Sequence, residues 1–154
     1  MFNIVLHQPE IPPNTGNIIR LCANTGARLH LIHPLGFLMS KKNLERAALD
    51  YGESVEIVHH KNFEAYLENT QFSSYYAVST KGESLMNEST ILPKDYLMFG
   101  SETKGLPKEC LFHGSCKGVV RIPMMEGSRS LNLANSVAIF LYYALAQSNF
   151  RGLS

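Results

Sequence analysis

The chain has no tryptophan, only three cysteines among 154 residues, and no apolar run long enough to cross a bilayer. Cys22, Cys110 and Cys116 form neither an even disulfide framework nor a C-x-x-C pair, so a disulfide-stapled secreted domain is excluded. The longest apolar stretch, Val137 to Ala146, falls well short of the ~20 residues a spanning helix needs. The N-terminus lacks the basic start and apolar stretch of a signal peptide. Large net charge is absent too: 14 basic against 13 acidic residues leave +1, not the strongly basic balance of an obvious nucleic-acid binder. The expectation is a cytoplasmic protein without a membrane segment.

Charged residues make up 18% and hydrophobic residues 45%, enough to fill the core of one domain and too apolar for a disordered chain. The whole of 1–154 reads as one domain, with no separate RNA-binding domain. The near-neutral sum hides a pattern. Residues 1–44 carry 4 basic and 1 acidic residue, 45–102 carry 4 and 10, and 103–154 carry 6 and 2. Two basic ends flank an acidic middle.

Short β-forming runs alternate with helical patterns along the chain. Strands are expected at 2–6, 28–33, 55–58, 75–79, 96–99 and 119–122. Helices are expected after Pro12-Pro13 with Asn14 as the cap and Gly26 as the stop, over 44–49, around Phe63 to Leu67, and from about Asn132 to Asn149. This alternation predicts an α/β fold with a mostly parallel sheet flanked by helices. Ligands of such sheets bind outside the carboxyl ends of the strands, here near His7-Gln8-Pro9, Ser79-Thr80-Lys81-Gly82, Gly100-Ser101-Glu102 and Pro123-Met124.

Several common chemistries lack their signatures. No G-x-G-x-x-G follows the first strand, and Leu106-Pro107 stands where a P-loop needs Lys-Ser/Thr. No G-x-S-x-G elbow occurs. The six histidines show no metal-ligand spacing, so no metal is expected, and the cysteines read as small buried thiols.

Three segments carry a positive signal. They are Pro9 to Gly26 with Asn14 and Arg20, Tyr96 to Pro107 with Gly100 and Glu102, and Arg121 to Ala138 with Ser128-Arg129-Ser130-Leu131-Asn132. Asn14 and Arg20 supply an amide and a fixed cation suited to gripping a phosphate or ribose. Their bland reading is a helix cap and a solvated charge. A glycine directly after a strand permits close approach of another backbone or a flat ligand.

In order and spacing the three segments resemble the motifs of the SpoU–TrmD (SPOUT) class of RNA 2′-O-methyltransferases, most of all its tRNA wobble-position subgroup. That resemblance implies S-adenosylmethionine as the cofactor and a C-terminal deep trefoil knot. It implies Val78, Gly100, Ile122, Ser130 and Leu131 as cofactor-binding residues, and Arg20, Asn14 and Glu102 as catalytic ones. Glu102 would stand near the reacting end or hold its loop. A guanidinium is a poor base, so Arg20 is expected to orient the ribose and stabilise developing oxyanion charge. The implied substrate is the 2′-hydroxyl of nucleotide 34 in the tRNA anticodon stem-loop, C or U-derived, in leucine tRNAs. Methylation of another tRNA or rRNA site, or an inactive RNA-binding module of the same fold, is the alternative. The nearly all-apolar Val137 to Leu145 must be covered on more than one side. A homodimer through this C-terminal helix region is expected, with Phe140, Tyr143 and Phe150 as candidates for its face.

Overall fold

A computed structural model of the chain describes residues 1–38, 40, 46 and 55–154. In chain order its elements are β1 (Asn3–His7), α1 (Pro12–Thr25), β2 (Arg28–Ile32), β3 (Ile57–His60), α2 (Phe63–Asn69), β4 (Tyr75–Val78), β5 (Ser84–Leu85), β6 (Tyr96–Phe99), α3 (Lys108–Leu111), β7 (Cys116–Arg121) and α4 (Leu133–Gln147). The helix expected over 44–49 lies outside the described residues. The third strand runs two residues later than its pattern suggested, and the last one begins three residues earlier, at Cys116.

Among the described residues seven strands form one sheet in the order β3-β2-β1-β6-β4-β7-β5, and every pairing between them is parallel. Both faces are covered, which is why the strands read as continuous apolar runs instead of alternating ones. Ile4, Leu6, Leu29, Leu31, Leu97 and Phe99 point to one side, against Ile18, Ile19 and Cys22 of α1 and Val137, Phe140 and Leu141 of α4. Val5, Ile32, Tyr75, Ala77 and Met98 point to the other, against Phe63, Tyr66 and Leu67 of α2 and Cys110 and Leu111 of α3.

The start of α1 corrects an expectation. Pro12 and Pro13 occupy its first positions, where a missing N–H and a fixed φ suit a helix start. Ile11 is therefore the cap residue, and Asn14 lies inside the first turn with its side chain free for other work. At the other end Gly26, at φ 69°, takes the left-handed conformation that stops the helix as expected. Asn132 caps α4, its side-chain oxygen accepting from the Asn135 N–H at 3.2 Å.

The apolar α4 is covered more fully within the chain than expected. Phe140 is completely buried and meets the Phe99 ring edge-on at 6.2 Å, so it belongs to the core and not to a docking face. Tyr143 packs partly against the same core. Ile139 and Tyr142 of α4 are exposed, as is Phe150 beyond it, and Tyr142 and Phe150 are in ring contact at 6.5 Å.

Candidate active site

Register places the site. Phe99 pairs with Leu6 and Val78, and Val78 with Val120, so β4, β6 and β7 end at one level and release their loops at one edge. Between those loops and the first turns of α1 and α4 lies a cleft of about 450 Å³. Val78, Gly100, Ile122, Ser130 and Leu131 all line it, and so do Asn14 and Glu102. Seven of the eight expected site residues thus come together from four separate segments.

Asn14 is the meeting point. Its side-chain nitrogen donates to Glu102 Oε1 at 3.3 Å, and its side-chain oxygen accepts from Asn132 Nδ2 at 2.9 Å. One amide therefore joins the first, second and third motifs, and both of its ends are engaged. Being nearly buried, these polar groups would be destabilising if left unpaired.

Glu102 completes the start of α1. Its carboxylate also accepts from the backbone N–H groups of Glu10 at 2.7 Å and Ile11 at 3.0 Å. A negative charge there satisfies donors at the helix start and complements the helix dipole. With three donors on it, this carboxylate holds the loop. The return half of the clasp is Glu10, whose carboxylate accepts from the Thr103 hydroxyl at 2.7 Å and the Thr103 N–H at 3.3 Å. Hydrogen bonds from the Thr103 and Ser101 hydroxyls, then the Thr103 N–H, with Lys104 nearby, hold the Glu10 carboxyl below its ordinary range. Sequence reasoning passed over Glu10 and Thr103, although both lie inside the quoted motifs. Nothing local marks a pairing across 93 residues.

Gly100 has a single reason to be glycine. A Cβ built there would overlap the backbone of Gly105 and Leu106, because the loop doubles back and Gly105 N–H bonds to the Ser101 carbonyl at 3.0 Å. The approaching group is the protein's own backbone. The tight loop sets Ser101, Thr103, Lys104 and Leu106 along one wall, with Ser79, Thr80 and Lys81 on another.

Arg20 stands apart from this group. It is exposed on α1 and lies outside the cleft lining. Six residues along a helix advance about 9 Å and rotate about 240°, so Asn14 and Arg20 cannot share one face.

The profile of the SpoU rRNA methylase family matches residues 1–142. The chain belongs to that family. A relative from Saccharophagus degradans named tRNA (cytidine(34)-2′-O)-methyltransferase is 53% identical over 152 residues, covering 99% of each chain. An Escherichia coli K12 relative of the same name is 48% identical, over 99% of this chain and 97% of its own. A solved structure concerned with 2-OH methylation of C/U34 on tRNA superposes with a TM-score of 0.87 at 43% identity, covering 98% of each chain. The SpoU methyltransferase AviRb from Streptomyces viridochromogenes, solved with AdoMet, shares the fold at 22% identity and a TM-score of 0.81, over 96% of this chain and 60% of its own. This SpoU-family chain is a methyltransferase, and its parallel sheet with flanking helices is the family's architecture.

Proposed function

We propose that this SpoU-family enzyme methylates the ribose 2′-hydroxyl of the wobble nucleotide 34, C or U-derived, of tRNA, with leucine tRNAs as its substrates and S-adenosylmethionine as donor. The observation that carries this reading is the closure of three distant motifs on Asn14 around one cleft. Relatives about half identical over nearly the whole chain bear the name of that reaction.

The cleft suits such a cofactor. Its volume lies in the range of small-molecule sites. Val78, Phe99, Leu106 and Ile122 offer an apolar floor for an adenine ring, and Ser79, Thr80, Ser130 and Ser136 offer polar groups for ribose and amino-acid ends. When bound, S-adenosylmethionine supplies an electrophilic methyl group on a charged sulfur. The chain's own task is positioning and charge stabilisation. The 100–107 loop, braced by the Glu102 and Glu10 clasp, fixes the floor. Lys81 and Lys104 at the cleft favour an anionic partner such as an RNA phosphate. Arg20 orients the ribose and stabilises negative charge developing on its 2′-oxygen.

For Arg20 to reach a ribose from the exposed side of α1, a second copy of the chain completes the site. Helix α1 packs on α4, whose Ile139 and Tyr142, with Phe150 beyond it, present apolar surface. A homodimer covering that surface would carry Arg20 of one protomer toward its partner's cleft. The trefoil knot that the family resemblance implies would lie in the segment between β7 and α4. The chain works in the cytoplasm, with tRNA.

Two measurements on Arg20→Ala test the assignment together. Methyl transfer to an anticodon stem-loop should fall about 100-fold or more, while the affinity for S-adenosylhomocysteine in calorimetry stays within about twofold of wild type, well under 1 kcal/mol. Loss of both would contradict the role given to Arg20. Wild-type transfer to ribosomal RNA and not to the stem-loop would move the substrate to another site.

A further inference from the structure

His7 ends β1, and Glu109 and Cys110 lie in the one-turn helix α3, far away in sequence. The fold brings one ligand atom of each, an imidazole nitrogen, a carboxylate oxygen and the Cys110 Sγ, within 4.8 Å of one another. The methyl-transfer reading uses none of the three. Imidazole, thiolate and carboxylate are the donor set that zinc takes. Donors on one tetrahedral ion at ~2.0–2.3 Å stand roughly 3.3–3.8 Å apart. The trio therefore closes on an ion with small movements, and the exposed Glu109 side chain has room to make them. His7 and Cys110 are buried, with Phe63 edge-on to the imidazole at 6.4 Å. Thiolate and carboxylate together neutralise a divalent ion, which offsets the cost of bringing its charge beside this buried wall.

We propose that His7, Glu109 and Cys110 bind a zinc-class divalent cation, with a fourth position open to water, as a brace between the end of β1 and α3. On binding, the Cys110 thiol gives its proton to solvent as the metal–sulfur bond forms, and the neutral imidazole and the carboxylate add without further exchange. Helix α3 follows directly on the loop whose Leu106 lines the cleft, so an ion here would stiffen the cleft floor. The site is independent of the proposed substrate. Linear spacing hides it, because His7 stands far along the chain from Glu109 and Cys110.

The test uses untagged, metal-stripped full-length protein under a non-thiol reductant, titrated with Co²⁺. One cobalt per chain is expected, with a thiolate-to-cobalt charge-transfer band in the near ultraviolet. The band disappears in Cys110→Ser and persists in Cys116→Ser. Zn²⁺ affinity measured by competition falls about 100-fold in His7→Ala and about 10-fold in Glu109→Gln. Because two of these positions lie in the core, the exposed Glu109 supplies a variant that leaves packing alone. Zn²⁺ should raise the Tm of wild type and raise that of Glu109→Gln less. Absence of the band, its survival in Cys110→Ser, or a Tm indifferent to Zn²⁺ would overturn the site.

Discussion

Two polar clusters in this molecule invite comparison, the cleft and the histidine-rich edge formed by β2 and β3. At the edge, His30 Nδ1 and His60 Nε2 stand 2.9 Å apart with stacked rings, and His33 Nε2 and His59 Nδ1 stand 2.8 Å apart. Each N···N contact holds one shared proton, since a second would face two N–H donors against each other. These pairs tie neighbouring strands. At the cleft, Asn14, Glu102 and Asn132 come from three distant segments and close around a hollow. Histidine is the usual first suspect for chemistry near neutral pH, yet here four histidines sit as strand ties. The cleft depends on amides, one engaged carboxylate and a glycine that admits backbone.

The sharpest way to break this contrast is at Gly100. Gly100→Ala should destabilise the fold by about 3 kcal/mol or weaken S-adenosylhomocysteine binding about 100-fold, since a methyl group overlaps backbone that has nowhere to go. Calorimetry and thermal melts would show which. An unaffected variant would mean that the loop does not double back as described.

The edge breaks with acid. Burial, then the neighbouring His60 and Arg28, pushes the His30 pKa down to about 3. The unfolded chain protonates this imidazole near ~6.5 and the folded one far lower, so the folded state loses stability as pH falls through that interval. From pH 6.5 to 4.5 the loss from His30 alone is about 2–3 kcal/mol. Denaturant melts of wild type and His30→Gln across this window should converge toward acid pH, and parallel curves would contradict the assignment. His59 and His60, also held low mainly by burial, add in the same direction.

A smaller effect belongs to the clasp. Glu102→Gln leaves the volume and removes the charge that Glu10, Ile11 and Asn14 donate to. A loss of about 1–2 kcal/mol is expected in chemical denaturation, together with weaker cofactor binding. A variant as stable as wild type would show that the three hydrogen bonds contribute nothing net.

Much of this arrangement was legible in the sequence, and the exceptions have physical causes. Strand runs announced a parallel sheet because both faces are buried, so Ile4, Val5 and Leu6 are all apolar. The Gly26 stop and the Asn132 cap are local chemistry and could be read locally. Asn14 misled for the same reason. It has the chemistry of a cap, but Pro12 and Pro13 start the helix earlier and release its side chain to bridge motifs. Phe140 looked like interface because an apolar helix does not say which flank the sheet will cover. The Glu10–Thr103 clasp and the His7–Glu109–Cys110 trio depend on pairings between remote segments, which no local pattern records. Arg20 was singled out from its motif, and its place on α1 is what turns attention to a second copy of the chain.

The central claim is the identity of the methylated hydroxyl, and nucleoside mass spectrometry of tRNA from a strain lacking this protein tests it most directly. The expected result is loss of 2′-O-methylation at position 34 of leucine tRNAs, restored by the wild-type chain and not by Arg20→Ala. Unchanged 2′-O-methylation at position 34 would contradict it.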